Sequence, residues 1–419
     1  MATLQPVRGT HDLLPQDERR HRVVAEAARS ISGRYGFEAM QTPIFEFTEV
    51  FARSIGETSD IVSKEMYTFA DRDGEQVTLR PENTAGVARA IVSNALTQSL
   101  PQRFFYYGPM FRYERPQKGR YRQFHQIGIE LIGVDQPLAD VEVIACGADI
   151  LAELGLLERT RLDLNTIGDT ESRQAYRATL IEYFSASKDR LSADSLTRLE
   201  RNPLRILDSK DEGDRRLVAN APLFGDSLTN EAKDFFGSVR AGLDALGIAY
   251  HLEPRLVRGL DYYCHTTFEF VTQDLGTQGT VMAGGRYDGL IAEMGGPKIS
   301  GIGWASGVER LALMIAEPPS PPRPLVLAPL GAAAELRCLA LGRDLRRAGF
   351  TVEQSHSGNL KKRLARANKI NALAVLIIGD DELAAGAVAV RLLDNGSQTT
   401  VPMAELLQRL PALLAEPQS

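Results

Sequence analysis

Cysteine is scarce in this chain of 419 residues: Cys146, Cys264 and Cys338 stand isolated, with no CxxC pair. That excludes a disulfide framework and a cysteine zinc cluster, and suits a reduced compartment. Long apolar runs are missing; stretches such as Ala372 to Ile378 are too short for a transmembrane helix. No GxxxxGK[ST] stretch occurs, which removes the P-loop. Positive charge is not in excess. A net charge of −6 argues against indiscriminate binding to nucleic acid, while leaving room for local basic patches. The opening MATLQPVRGTHDLLP has no basic segment followed by an apolar one, so no signal peptide is expected and the cytoplasm is the predicted location.

What is present is an ordinary globular composition, 43% hydrophobic and 24% charged, in a chain too long for one core, so two or three domains are expected. The clearest boundary is EPPSPPRP, Glu317 to Pro324, because proline removes backbone donors and fixes φ. It divides the chain into residues 1–317, a linker at 318–324, and residues 325–419. Beyond the linker, strand-like PLVLAPL, TVEQS and ALAVLIIG alternate with the helical AAAELRCLALGRDLRRAGF and NLKKRLARANKI. A hairpin around Asn395-Gly396 and a closing helix follow, which predicts a small α/β domain around a mixed sheet. Before the linker, Pro15 opens a helix with Val24, Ala27, Ala28 and Ile31 on one stripe, and long strands then dominate. Residues about 170–223 are charged and weakly periodic, and are expected to be an inserted helical subdomain.

RFFYYGPMFRYER and QFHQIGIELIG, joined by the basic loop PQKGRYR, predict an antiparallel hairpin. Alternation puts Ile127, Ile129 and Leu131 on the core side, and Phe124, Gln126, Gly128 and Glu130 on the other. An aromatic plate, an amide and a carboxylate around a glycine gap could be a solvated sheet face. Arg112 and Glu114 on the first strand, Arg80 and Glu82 in LRPENTAG, and Arg258 in LVRGLDYYCHTTFEF add acids and bases to the same region. Together they would suit an ammonium group and a triphosphate. GIGWASGVERLALMIA is a strand turning into a helix at Gly307, with Val308, Leu311, Ala312 and Ile315 buried. Ser306 stands where a dinucleotide fingerprint needs glycine, and Arg310 in the first helical turn could hold a phosphate or lie on the surface.

These stretches resemble the class II aminoacyl-tRNA synthetases. FRYERPQKGRYRQFHQIGIE is similar to their motif 2, GIGWASGVERLAL to motif 3, and GFEAMQTPIFEFTEVF to motif 1, which lies at the dimer interface in that family. LVRGLDYYCHTTFEF and AGGRYDGL resemble the two signatures of the histidyl branch, and PVRGTHDLLP and IIGDDELAAG also fit it. The resemblance implies an α+β fold: an antiparallel catalytic sheet flanked by helices, with a C-terminal α/β anticodon-binding domain. It implies that histidine is activated with ATP to the adenylate, releasing pyrophosphate, and then passed to the 3′ end of tRNA(His).

Carried over by position, Arg112 is expected at the α-phosphate, Glu114 near the adenine, Phe124 stacked on the base, and Arg310 at the γ-phosphate. Mg²⁺ would accompany ATP, with no metal fixed by protein ligands alone. Glu82, Thr84 and Gln126 are expected around the histidine α-amino group, with Asn83, Arg112 and Arg258 also among the histidine-binding residues and Arg258 acting during carboxylate attack. Glu130 and Tyr263 are expected at the imidazole nitrogens, Tyr262 alongside. Asn83 stands where the family usually has glycine, and strict alternation sets Arg258 and Tyr263 on opposite faces unless Gly259 bends the chain.

Gln117, Arg120 and Arg122 are expected near the tRNA acceptor end. Lys361, Lys362, Arg363, Arg366 and Lys369 are either an anticodon-facing basic run or a solvated helix face. The six histidines are too scattered in sequence for a metal site, and none is given a catalytic role. The expected assembly is a homodimer, with no DNA or membrane partner. The rival expectation is a silent paralogue serving as the histidine-sensing regulatory subunit of ATP phosphoribosyltransferase. The segment after Pro324 and the intact Arg112, Arg258 and Arg310 weigh against it.

Overall fold

The computed structural model describes residues 3–56, 59, 61–207, 209–257, 260–276 and 279–415. Alternation shapes its larger unit. In strand Gln123–Ile132, Ile127, Ile129 and Leu131 are fully buried and face the main core, as the two-residue period of the sequence requires. That strand pairs antiparallel with Gln102–Phe111, from Gln102 opposite Ile132 to Phe111 opposite Gln123. Eight strands continue the sheet in the spatial order 38–39, 102–111, 123–132, 301–307, 280–286, 264–271, 161–166, 251–252. The inner pairings are antiparallel, and the outermost pair at each edge is parallel.

One sheet face is covered by helices Pro15–Arg34, Pro137–Glu153, Asn230–Ala245 and Val308–Met314, whose buried stripes include Val24, Ile144, Val239 and Leu311. Trp304 lies on this covered side, its Nε1 donating to the Val143 carbonyl at 3.0 Å. Arg286, at the end of strand Thr280–Arg286, is fully buried and forms an ion pair with the equally buried Asp140 of helix Pro137–Glu153. The opposite sheet face is left open around a cleft.

Helices Thr170–Ser185, Ala193–Arg201 and Glu212–Val218 make the inserted bundle, each started by an aspartate or serine side chain that accepts a backbone N–H of the first turn. Its buried Tyr176, Leu180, Phe184 and Leu217 belong to the same apolar cluster as Tyr106, Tyr262, Tyr263 and Tyr287 at the cleft. A separate three-stranded sheet, ordered 45–47, 76–79, 67–70, exposes Phe45 (57%), Phe47 (58%) and Phe69 (49%).

Contacts divide the chain into two compact units meeting at Pro318 and Pro319. The second unit has a five-stranded mixed sheet in the order 352–354, 325–329, 374–378, 387–392, 398–402, with parallel pairing among the first three. The short helix Asp380–Ala384, absent from the sequence reading, begins where Glu382 accepts the Gly379 N–H. No described helix is long and apolar enough to cross a membrane.

Candidate active site

The cleft has a cavity volume of about 200 Å³ and is walled by segments that the sheet brings together. Strand Gln123–Ile132 supplies Phe124 and Gln126, and the loop before it supplies Arg112, Glu114 and Arg120. Glu82 and Thr84 come from the start of helix Thr84–Ser93, Arg310 from helix Val308–Met314, and Tyr262 and Tyr263 from the segment entering strand Cys264–Val271.

One end is cationic. The Arg112 guanidinium lies 5.4 Å from the Phe124 ring centre, and its Nε donates to the Pro81 carbonyl at 2.8 Å. Glu114 stands between Arg120 at 2.9 Å and Arg112 at 3.9 Å. Arg310 donates to the carbonyls of Gly119 and Thr280. Burial, then the neighbouring Arg120 and Arg112, pulls the Arg310 pKa down, against Glu114 and Glu269, which raise it. Three guanidinium groups crowded this way favour an anion with several oxygens.

The other end is polar and nearly dry. The Glu82 carboxylate accepts the N–H groups of Thr84 (2.7 Å) and Ala85 (3.0 Å) and so caps the helix. Burial raises its pKa against those bonds. Gln126 Oε1 is buried without a hydrogen-bond partner among the described residues. Glu130 is fully buried; Thr84 Oγ1 donates to one of its oxygens at 2.6 Å and the Tyr287 hydroxyl donates to the other. Burial pushes the Glu130 carboxyl up to about 8, the two hydroxyl bonds opposing the rise. The Tyr262 and Tyr263 rings are tilted at 52° to each other with centres 4.6 Å apart, and Tyr287 meets Tyr262 edge-on at 5.8 Å.

Glu82, Thr84, Arg112, Glu114, Arg120, Phe124, Gln126, Tyr262, Tyr263 and Arg310 thus line one cleft. Glu130 does not line it; it lies beneath, behind Thr84 and Tyr287. Arg258 lies outside the described residues. Other placements differ from those expected. Asn83 turns away from the cleft, its Oδ1 accepting from the Thr42 hydroxyl at 2.6 Å and from Arg80 at 3.3 Å. Arg80 is itself a buried brace, donating to the carbonyls of Pro109 and Thr42. Arg122 is laid over the Tyr113 ring at 3.9 Å, with its backbone N–H on the Gly9 carbonyl, whereas Gln117 is exposed at the tip of the loop. In the second unit Arg363 is buried and bonded to the carbonyls of Ser355 and Gly358, so it leaves the basic run.

Two of the six histidines also lie closer in space than in sequence. His21, His125 and Glu309 each offer an atom within 4.8 Å of the others, because helix Pro15–Arg34, strand Gln123–Ile132 and helix Val308–Met314 pack together. Glu309 is engaged there, accepting the His125 backbone N–H at 2.8 Å.

Tyr287 and Tyr106 had no role assigned from sequence. Tyr287 sits in AGGRYDGL, two residues after Gly285, where a Cβ would press on the Tyr263 ring. Tyr106 is the register partner of Gly128, and a Cβ at Gly128 would overlap its hydroxyl. Its hydroxyl is buried without a partner among the described residues, and the phenol pKa is raised, chiefly by burial. A tyrosine opposite a glycine in the hairpin register was the available signal.

A family model for histidyl-tRNA synthetase matches residues 9–311, and one for an anticodon binding domain matches residues 325–413. The histidine–tRNA ligase of Rhodospirillum rubrum is 60% identical over 415 residues, covering 99% of this chain and 100% of that one. That of Gluconacetobacter diazotrophicus is 59% identical, covering 96% and 97%. Apo histidyl-tRNA synthetase of S. aureus superposes with a TM-score of 0.82 at 33% identity, covering 97% and 99%. An ATP phosphoribosyltransferase regulatory subunit/histidyl-tRNA synthetase of Bacillus halodurans has a TM-score of 0.65 at 20% identity, covering 90% and 99%, a likeness of fold alone. By sequence over its full length and by fold, the chain belongs to the histidyl-tRNA synthetase family.

Proposed function

We propose that the chain is an aminoacyl-tRNA ligase that activates L-histidine with ATP and transfers it to tRNA(His). The observation that carries this is the cleft's two-ended polarity. Arg112, Arg120 and Arg310 crowd one end, while Glu82, Gln126 and a tyrosine cluster over Glu130 occupy the other. A nucleoside triphosphate fits the first end, with Phe124 as a platform for the base. An amino acid with a hydrogen-bonding ring fits the second, its ammonium group between the Glu82 carboxylate and the unpaired Gln126 oxygen. The imidazole would meet the tyrosine hydroxyls, with Glu130 behind Thr84 and Tyr287, and an analogue lacking a ring nitrogen would leave a buried polar group unpaired.

The reaction needs the histidine carboxylate aligned on the α-phosphate and the growing negative charge neutralised, with no covalent nucleophile. Arg112, whose charge acts on both Glu82 and Arg310, would serve at the junction of the two ends, and Arg258 joins it by family position. Glu114 and Glu269, the carboxylates whose charges act on Arg310, would suit a hard cation arriving with ATP, and Mg²⁺ there would neutralise phosphate charge. The exposure of Gln117 at the loop tip supports a role for it at the acceptor end of tRNA, and Lys361, Lys362, Arg366 and Lys369 offer the second unit a basic face. Exposed Phe45, Phe47 and Phe69 on the small sheet support a homodimer.

ATP–pyrophosphate exchange with each amino acid in turn is the test. Histidine-dependent exchange is the expected result. Protein that binds histidine yet exchanges with none would sink the ligase reading in favour of a histidine-sensing subunit.

A further inference from the structure

The two tyrosines at the imidazole end stand on a short segment that the sheet alone does not hold. Leu260, Tyr262 and Tyr263 line the cleft, but Asp261 between them does not. Its Oδ1 accepts from Arg205 Nε at 3.0 Å, Arg205 Nη2 at 2.8 Å and Asn202 Nδ2 at 3.1 Å. Two residues on, the Tyr263 carbonyl accepts from Arg173 Nη1 at 2.9 Å. All three donors belong to the inserted bundle: Arg173 to helix Thr170–Ser185, and Asn202 and Arg205 to the turn after helix Ala193–Arg201.

The Arg205 side chain is only 11% exposed, so its charge-assisted contacts are shielded from water on most sides. On the far side, Asp261 donates its N–H to the Ile55 carbonyl at 3.3 Å, and a Cβ at Gly56 would collide with the Asp261 carboxylate. A small cavity behind the tyrosines has Arg173, Asn202 and Arg205 on one wall and Leu260 and Tyr263 on the other. The insert therefore backs the pocket wall directly.

We propose that Arg205, Asn202 and Arg173 are positioning residues for side-chain recognition: the insert grips Asp261 and the Tyr263 carbonyl from behind and so sets the placement of Tyr262 and Tyr263. This rests on the reading that those tyrosines face the imidazole. None of the three lines the cleft, whereas the arginines at the triphosphate end do. Their loss should act on the amino acid and spare the nucleotide. Displacing a recognition group by a fraction of an ångström is enough to weaken binding measurably.

The experiment is steady-state ATP–pyrophosphate exchange in the full-length protein, with KM for histidine and for ATP measured separately. The variants are Arg205→Met, Arg205→Lys, Asp261→Asn and the double Arg205→Met/Asp261→Asn. Arg205→Met is expected to raise the histidine KM by about tenfold while the ATP KM stays within about twofold. Arg205→Lys should recover part of the loss, and the double variant should be no worse than the poorer single one, as for partners in one contact. An unchanged histidine KM, an equal rise in both constants, or additive losses would overturn the proposal. If Arg205→Met does not fold, Arg205→Lys and Arg173→Met carry the same comparison. Absence of histidine-dependent exchange in the unaltered protein would instead overturn the underlying site reading.

Discussion

Arg310 shows at the scale of one residue how the cleft stores its demand for an anion. Its guanidinium is partly buried, donates to the carbonyls of Gly119 and Thr280, and is repelled by Arg120 and Arg112. Arg310→Ala should lower kcat/KM for pyrophosphate exchange by roughly 10²–10³, the usual loss for one preorganised charge-stabilising donor. Histidine binding measured calorimetrically without ATP should change little; an exchange rate within a few-fold of the unaltered protein would refute the assignment.

Glu130 makes a prediction of opposite character. Burial holds its carboxyl at about 8 rather than the ordinary 4.5, so between those values the folded chain keeps a proton that the unfolded chain has released. The group's contribution to stability is complete below the lower value and is lost as pH rises through the upper one, by up to about 1.4 kcal/mol per pH unit. Glu130→Gln, which cannot ionise, should therefore lose less Tm across that range than the unaltered protein does. Parallel melting profiles would show that Glu130 is not protonated in the fold.

At the scale of elements, the buried Arg286–Asp140 pair ties the end of strand Thr280–Arg286 to helix Pro137–Glu153. Arg286→Met would leave Asp140 charged and unpaired in the core. It should cost about 3–5 kcal/mol in chemical denaturation, with a smaller loss when Asp140→Leu is added. A loss under about 1 kcal/mol for the single change would exclude this role.

Elements were also the level at which the sequence was easiest to read. A period of two located the hairpin and its core face, and proline density marked the division of the chain. The strand–turn–helix at Gly307 was legible because Val308, Leu311, Ala312 and Ile315 repeat at helical spacing and are all buried. Partners across space were not legible. Nothing in LRPENTAG says that Arg80 and Asn83 turn towards Thr42 while Glu82 and Thr84 turn to the cleft, because a helix start has no alternation to follow. The insert's hold on Asp261 was hidden for the same reason: its donors lie more than fifty positions away.

At the scale of the whole molecule, the small sheet leaves Phe45, Phe47 and Phe69 exposed, an apolar surface that association would cover. Phe45→Asp with Phe47→Asp should convert the proposed dimer to a monomer in light scattering after size exclusion. A mass of one chain for the unaltered protein at micromolar concentration would rule out that role for the sheet.

The covered side of the site strand has one more consequence. Trp304 is the single tryptophan of the chain, fully enclosed and bonded to Val143, while its neighbour Ala305 lines the cleft. Every photon of indole emission therefore originates one residue from the ligands, in surroundings that exclude water. The protein carries an intrinsic optical reporter at its site, and stopped-flow emission could follow the arrival of amino acid and nucleotide without a dye or a label.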